Sequence, residues 1–224
     1  MNEQRMRQFF IAGTGLLFAL ILGGLVWAIA AGPSPVDPSG RGREESGLRF
    51  SDGQDPVRGP ENAKVVVRIF SDFQCPACRA AEPGIEAAMK KYEDKVRFVW
   101  NDFPLTTIHP NALPAAQAAR CAEEQGVFWD YRKKVFETQD TWSNLNAPNT
   151  QFTEIAKSTG INVDQFATCV NDKTYDAKIR EDMSEGVANR VNSTPTFFVG
   201  NVRYSGVMSE SEWDAVLSKA VSGS

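Results

Sequence analysis

Apolar positions along this chain fall into blocks with different periods. From Phe9 to Ala31 there is no charged residue, and Ile11 to Ala31 is almost continuously apolar, long enough to span a bilayer as one helix. Lys64 to Phe70 is a β-branched run and Val96 to Trp100 a second, and both read as buried strands. Between them, Pro76 to Glu93 sets Ile85, Met89 and Tyr92 on one helical face. Strand, helix and strand in that order imply a parallel pair joined by a right-handed crossover. From about Asn111 to Val191 apolar residues recur at helical spacing, with breaks at Gly126, Pro148 and Gly160, a stretch too long for a simple crossover. The strand pattern returns at Thr196 to Val199, turns at Gly200-Asn201 and continues through Val202 to Tyr204. A helix from about Ser209 to Ala220 follows.

The flanks of the first block give it a direction. Arg5 and Arg7 precede it, and the positive-inside rule then places everything after Ala31 on the outer side of the cell membrane, below a single-pass anchor. Ala28-Ile29-Ala30 resembles a signal-peptide cleavage site, but the apolar region of a signal peptide is only about 7–15 residues, so length favours an anchor. Either reading exports the rest of the chain. Gly32 to about Pro60 is dense in Gly, Pro, Ser and charge. It reads as a tether with a short strand at Leu48-Arg49-Phe50. The expected division is an anchor over 1–31, a flexible linker over 32–54 and one folded domain over 55–224. The 42% hydrophobic content supports one good-sized domain, and the net charge of -4 gives no footprint for nucleic acid.

The chemistry lies where the first strand gives way to a helix, at Cys75-Pro76-Ala77-Cys78. A cysteine in the first turn of a helix faces unpaired backbone N–H groups and the positive end of the dipole, both of which favour thiolate over thiol. Cys75 is therefore the candidate nucleophile. Cys78, one turn further in, is the candidate resolving thiol, placed to attack a mixed disulfide formed on Cys75. Pro76 suits the first helical position, which needs no N–H. A zinc site would require a second closely spaced ligand pair, and Cys121, Cys169 and His109 are far apart, so no metal is expected.

Phe70-Ser71-Asp72-Phe73-Gln74-Cys75-Pro76-Ala77-Cys78-Arg79, Gln125-Gly126-Val127-Phe128-Trp129 and Ser193-Thr194-Pro195-Thr196-Phe197-Phe198-Val199-Gly200 together resemble the DsbA-like branch of the thioredoxin-like superfamily. Pro83, within the active-site helix, is a further match. The resemblance covers roughly Asp55 to the C-terminus. It implies an α/β thioredoxin-like fold with a helical domain inserted at about 111–191, and thiol–disulfide oxidoreductase activity on client proteins with cysteine thiols. It also implies a cis Pro195 facing the two cysteines, with Thr194 offering backbone hydrogen bonds to an extended client. A DsbB- or VKOR-like membrane oxidase is the recycling partner it suggests. No cofactor is needed.

The departures also inform. Relatives carry an acidic residue six positions before the first cysteine; this chain has Ile69, with Arg68 and Asp72 nearby. Pro76-Ala77 is the redox-tuning dipeptide, and without the histidine of strongly oxidising relatives it implies a milder potential. If Cys75 pairs with Cys78, only Cys121 and Cys169 remain to form a bridge, which would be structural; the alternative is two buried free thiols. His109, the sole histidine, reads as a surface or capping residue, and Phe128, Trp129 and Phe136 as core. Two rivals to a client oxidase are a reductase or isomerase of the same fold, and a tethered peptide-binding chaperone module braced by the cysteine pair.

Overall fold

The β-branched run is at the centre of a sheet. In the computed structural model, which describes residues 41–51 and 53–223, β1 is Arg43–Glu44, β2 Val57–Arg58, β3 Val65–Ser71, β4 Val96–Asp102, β5 Thr196–Val199 and β6 Val202–Ser205. They form one sheet in the order β1-β6-β5-β3-β4-β2. The β3–β4 pair is parallel, with Val65 opposite Val96 and Ser71 opposite Asp102, and the other pairings are antiparallel. Because β3 is covered on both faces, its residues are buried almost without alternation, which is why it reads as a continuous apolar run.

Helix α1, Pro76–Lys91, crosses from β3 to β4 and runs through Pro83. Beyond β4 the chain enters α2 (Ala112–Glu123), α3 (Phe128–Glu137), α4 (Gln139–Trp142), α5 (Asn149–Lys157), α6 (Val163–Asp172) and α7 (Asp176–Ala188). Gly126 and Gly160 take positive φ at the expected breaks, and Lys173 adds a third left-handed stop after α6. Helix α8, Glu210–Ser222, closes the domain; its start is a capping box between Ser209 and Glu212.

Two apolar clusters sit on opposite faces of the sheet. Val67, Ile69, Trp100 and Phe197 point into the larger one with α1, α8 and the inserted helices. Phe70, Phe103, Val191 and Phe198 form the smaller one. Adding a Cβ to Gly186 of α7 would bring it within 2.6 Å of the Phe103 ring, so α7 packs there at backbone distance.

The expected linker over 32–54 needs correction where the structure describes it. Residues 41–51 dock on the sheet rather than hang free: β1 pairs with β6, and buried Glu45 meets Arg190 and Arg203 at 2.8 and 2.9 Å. Leu48-Arg49-Phe50 is not a strand. Its apolar residues are instead a lid for the smaller cluster, with the Phe50 ring 5.2 Å from that of Phe198. A docked segment with one buried acid and two spaced apolar residues has too little periodicity to stand out from a tether. No helix among the described residues is long and apolar enough to cross a membrane, and the expected span at 9–31 lies outside them.

Cys121 of α2 and Cys169 of α6 are bonded, closing a loop of 48 residues inside the insert. In the chain-entropy account such a loop contributes about 4 kcal/mol, an upper figure. A Cys121→Ser/Cys169→Ser variant is expected to melt at a lower temperature while Cys75 and Cys78 keep their equilibrium with glutathione. Calorimetry and a glutathione titration check both halves.

Candidate active site

Residues 72–75 bring the strand end to the helix start through an Asx turn: Asp72 Oδ1 accepts the N–H of Gln74 at 2.7 Å and of Cys75 at 3.2 Å. Cys75 is the N-cap of α1 in extended conformation, Pro76 follows as the first helical residue, and Ala77 packs at the margin of the larger cluster. The insert clamps this turn from outside. Gln139 Nε2 donates to the carbonyls of Phe73 and Cys75, Gln74 Nε2 donates to that of Ser143, and the Asn111 N–H donates to Gln74 Oε1.

Both thiols are reduced, and their settings differ. Cys75 is 7% exposed, with its Sγ 3.6 Å from the Thr194 carbonyl oxygen; Cys78 is 1% exposed, and its sulfur accepts the Asp72 N–H at 3.4 Å. The Cys78 side chain hydrogen-bonds the Cys75 sulfur, and with the N–H groups of Cys78 and Ala77 it pulls the Cys75 pKa down to about 5 against the cost of burial. Burial first, and the neighbouring sulfur second, push Cys78 well above the usual thiol range. One sulfur is thereby a stable thiolate and a good leaving group, the other a poor one.

The Thr194–Pro195 peptide bond is cis, so Thr194 presents its backbone beside Cys75. Cys75, Cys78, Thr194, Pro195, Pro76 and Ala77 thus converge at one end of the sheet, whereas Cys121 and Cys169 belong to the insert. Ile69, at the position where relatives carry an acid, is fully buried in the core. The expectation for His109 is corrected: its ring Nδ1 lies 2.7 Å from Asp72 Oδ2, behind the active-site turn. Asp72, Gln74, Asn111 and Gln139 also escape a reading by periodicity, because each is a single polar residue. The short Asp72-to-Cys75 spacing was the available signal for the Asx turn.

The thioredoxin family model matches residues 51–219, three quarters of the chain, and the chain belongs to that family. Among solved structures it is similar to α-DsbA1 of Wolbachia pipientis, with a TM-score of 0.66 and 23% identity over 79% of this chain and 96% of that one. Oxidised BdbD of Bacillus subtilis gives a TM-score of 0.62 and 22% identity over 74% and 90%. The chain therefore carries the fold of DsbA-like thiol–disulfide oxidoreductases. Its curated relatives are named Na(+)/H(+) antiporters. One, NhaA 3 of Salinispora tropica, is 35% identical over 68% of this chain and 22% of its own length. Another, NhaA 1 of Mycolicibacterium vanbaalenii, is 31% identical over 89% of this chain and 30% of its own. The chain thus spans about a quarter of the length of these curated relatives.

Proposed function

We propose that this thioredoxin-family chain is an extracytoplasmic thiol–disulfide oxidoreductase that oxidises client dithiols through a Cys75–Cys78 disulfide. The observation that carries the reading is the split between two sulfurs one helical turn apart, Cys75 pulled down to about 5 and Cys78 pushed up by burial. In the oxidised protein a client thiolate attacks the Cys75 sulfur, the Cys75–Cys78 bond breaks, and Cys78 takes the electron pair and a proton. A second client thiolate then attacks the client sulfur of the mixed disulfide and Cys75 leaves as thiolate. Two electrons pass to the protein; one client proton ends on Cys78 and the other in solvent. The Thr194 backbone beside cis Pro195 supports an extended client segment at the edge of this cycle.

A stabilised Cys75 thiolate favours the reduced protein, and so the oxidising direction. The apolar run at 9–31 with Arg5 and Arg7 before it supports a membrane anchor with the domain outside. Reoxidation then falls to a quinone-linked membrane oxidase of the DsbB or VKOR type. Equilibration of the full-length protein with glutathione, read by alkylation of free thiols, tests the direction. The expected potential is well above the about −270 mV of a thioredoxin-type reductant. A value at or below that figure would replace the oxidase with a reductase.

A further inference from the structure

A carboxylate and an imidazole stand behind the nucleophile without a role in the cycle above. The Asp72 side chain is fully buried, and its oxygens meet four nitrogens: Gln74 N and Cys75 N on Oδ1, Leu105 N at 2.8 Å and His109 Nδ1 at 2.7 Å on Oδ2. Three of these are backbone donors, the pattern of an ionised carboxylate, and the ring nitrogen facing that anion must carry its proton. Four partners fill the lone pairs of a carboxylate, so Asp72 has none left to take a proton from Cys78.

That anion sits in a place that works against the nucleophile. It accepts the N–H of Cys75 itself, at the helix end that favours the thiolate, and a negative charge so close opposes a second one. A charged imidazole on the far oxygen cancels it. His109 reaches Asp72 from the segment between β4 and α2, and its side chain is 16% exposed. Neither that segment, 103–111, nor the first turn of α2 holds another titratable side chain. At the start of α1 the titratable groups next in sequence to this turn are Cys75 at the N-cap, Cys78 and Arg79, and Arg79 is paired at 2.8 Å with Asp140 of α4. Among the described residues, Asp72 is the charged side chain bonded to the His109 ring.

We propose that His109 is a positioning residue for the exchange reaction: charged, it neutralises Asp72 and so sets how readily Cys75 becomes and remains a thiolate. Neutral, it leaves the Asp72 charge uncompensated, and the protein becomes a weaker oxidant. The Asp72 bonds to Gln74 N and Cys75 N transmit this without His109 touching either sulfur. The inference rests on the thiol-exchange reading and adds to it a charge pair drawn from outside the Cys75-to-Cys78 segment.

The test is the thiolate absorbance of the reduced full-length protein, titrated in the wild type and in three variants, with a glutathione equilibrium for each. His109→Gln keeps an N–H for Asp72 but no charge. It is expected to raise the Cys75 midpoint by about half a pH unit or more, and to shift the glutathione equilibrium about threefold toward the disulfide form. His109→Lys keeps the charge and is expected to hold both near wild type. Asp72→Asn removes the anion and is expected to move the midpoint downward. Three shifts in one direction would mark a merely structural role, and an unmoved midpoint in His109→Gln would equally overturn the pair. A wild-type midpoint in the ordinary thiol range would instead sink the exchange reading itself.

Discussion

Cys75→Ala is expected to reduce oxidation of a client dithiol to the uncatalysed rate, and reduced Cys78→Ala, mixed with a disulfide-bonded client, to hold that client as a mixed disulfide on Cys75 while the client's other sulfur leaves as a thiol. The two outcomes differ because the sulfurs differ. Without Cys75 there is no active-site disulfide for a client thiolate to attack, and the remaining Cys78 thiol is fully buried. Without Cys78 the captured client loses one of its two routes of release, and the adduct shows as a shifted band without reductant. The reduced wild type should also react with an alkylating agent under acidic conditions. With a pKa of about 5, Cys75 is about 90% thiolate at pH 6, against about 0.3% for an ordinary cysteine. The lower basicity weakens each thiolate as a nucleophile, so the net gain in rate is roughly tenfold. Client effects that survive Cys75→Ala would favour the peptide-binding rival, with Pro195 as its seat.

The parts of this molecule that the sequence made legible are those that repeat or that chemistry spaces tightly. Both long strands follow from continuous β-branched runs, the crossover and closing helices from a period of 3.6, the hairpin from its Gly200-Asn201 turn, and the cysteine pair from its place between strand and helix. The insert was legible as helical because Gly126 and Gly160 mark its turns, though not as six separate helices, since Lys173 gives no warning of a left-handed stop. Contacts made by one polar side chain across a long stretch of sequence were invisible. Glu45 with Arg190 and Arg203, Gln139 with the active-site turn, and Asp72 with His109 each join residues whose neighbours say nothing about the partner. His109 in particular looked like a helix-start residue because Pro110 and Asn111 follow it, and only the return of the segment behind β3 gives its ring a carboxylate.

The same blindness hid the charge centre that fastens the insert to the sheet. Arg120 of α2 is fully buried, with its Nε 2.6 Å from Asp102 of β4 and its Nη2 2.5 Å from Asp182 of α7 and 3.2 Å from Asp55. Its Nη1 donates to the Gln54 carbonyl at 2.9 Å and lies 3.5 Å from Glu123. Lys178 adds a second cation, 2.6 Å from Asp55 and bonded to Asp182. Arg120→Met would leave Asp102 and Asp182 buried without their main counter-charge, and the expected loss is about 3–5 kcal/mol, read as a lower urea midpoint. Simultaneous Asp182→Asn should recover part of it, because one stranded anion is then removed. Two cations face four carboxylates here, and two of the carboxyls hold their protons to higher pH: burial, then the Asp102 charge, raises Asp182 to about 7, and burial raises Glu123 to about 7. Between pH 4 and 7 these two carboxyls hold more protons in the folded chain than in the unfolded one, and their contribution to stability is expected to fall as pH rises through that window. Urea midpoints of the form with Cys75 and Cys78 disulfide-bonded, in which neither thiol titrates, measure it at pH 5 and pH 8, with the higher midpoint expected at pH 5, and Asp182→Asn should reduce the difference.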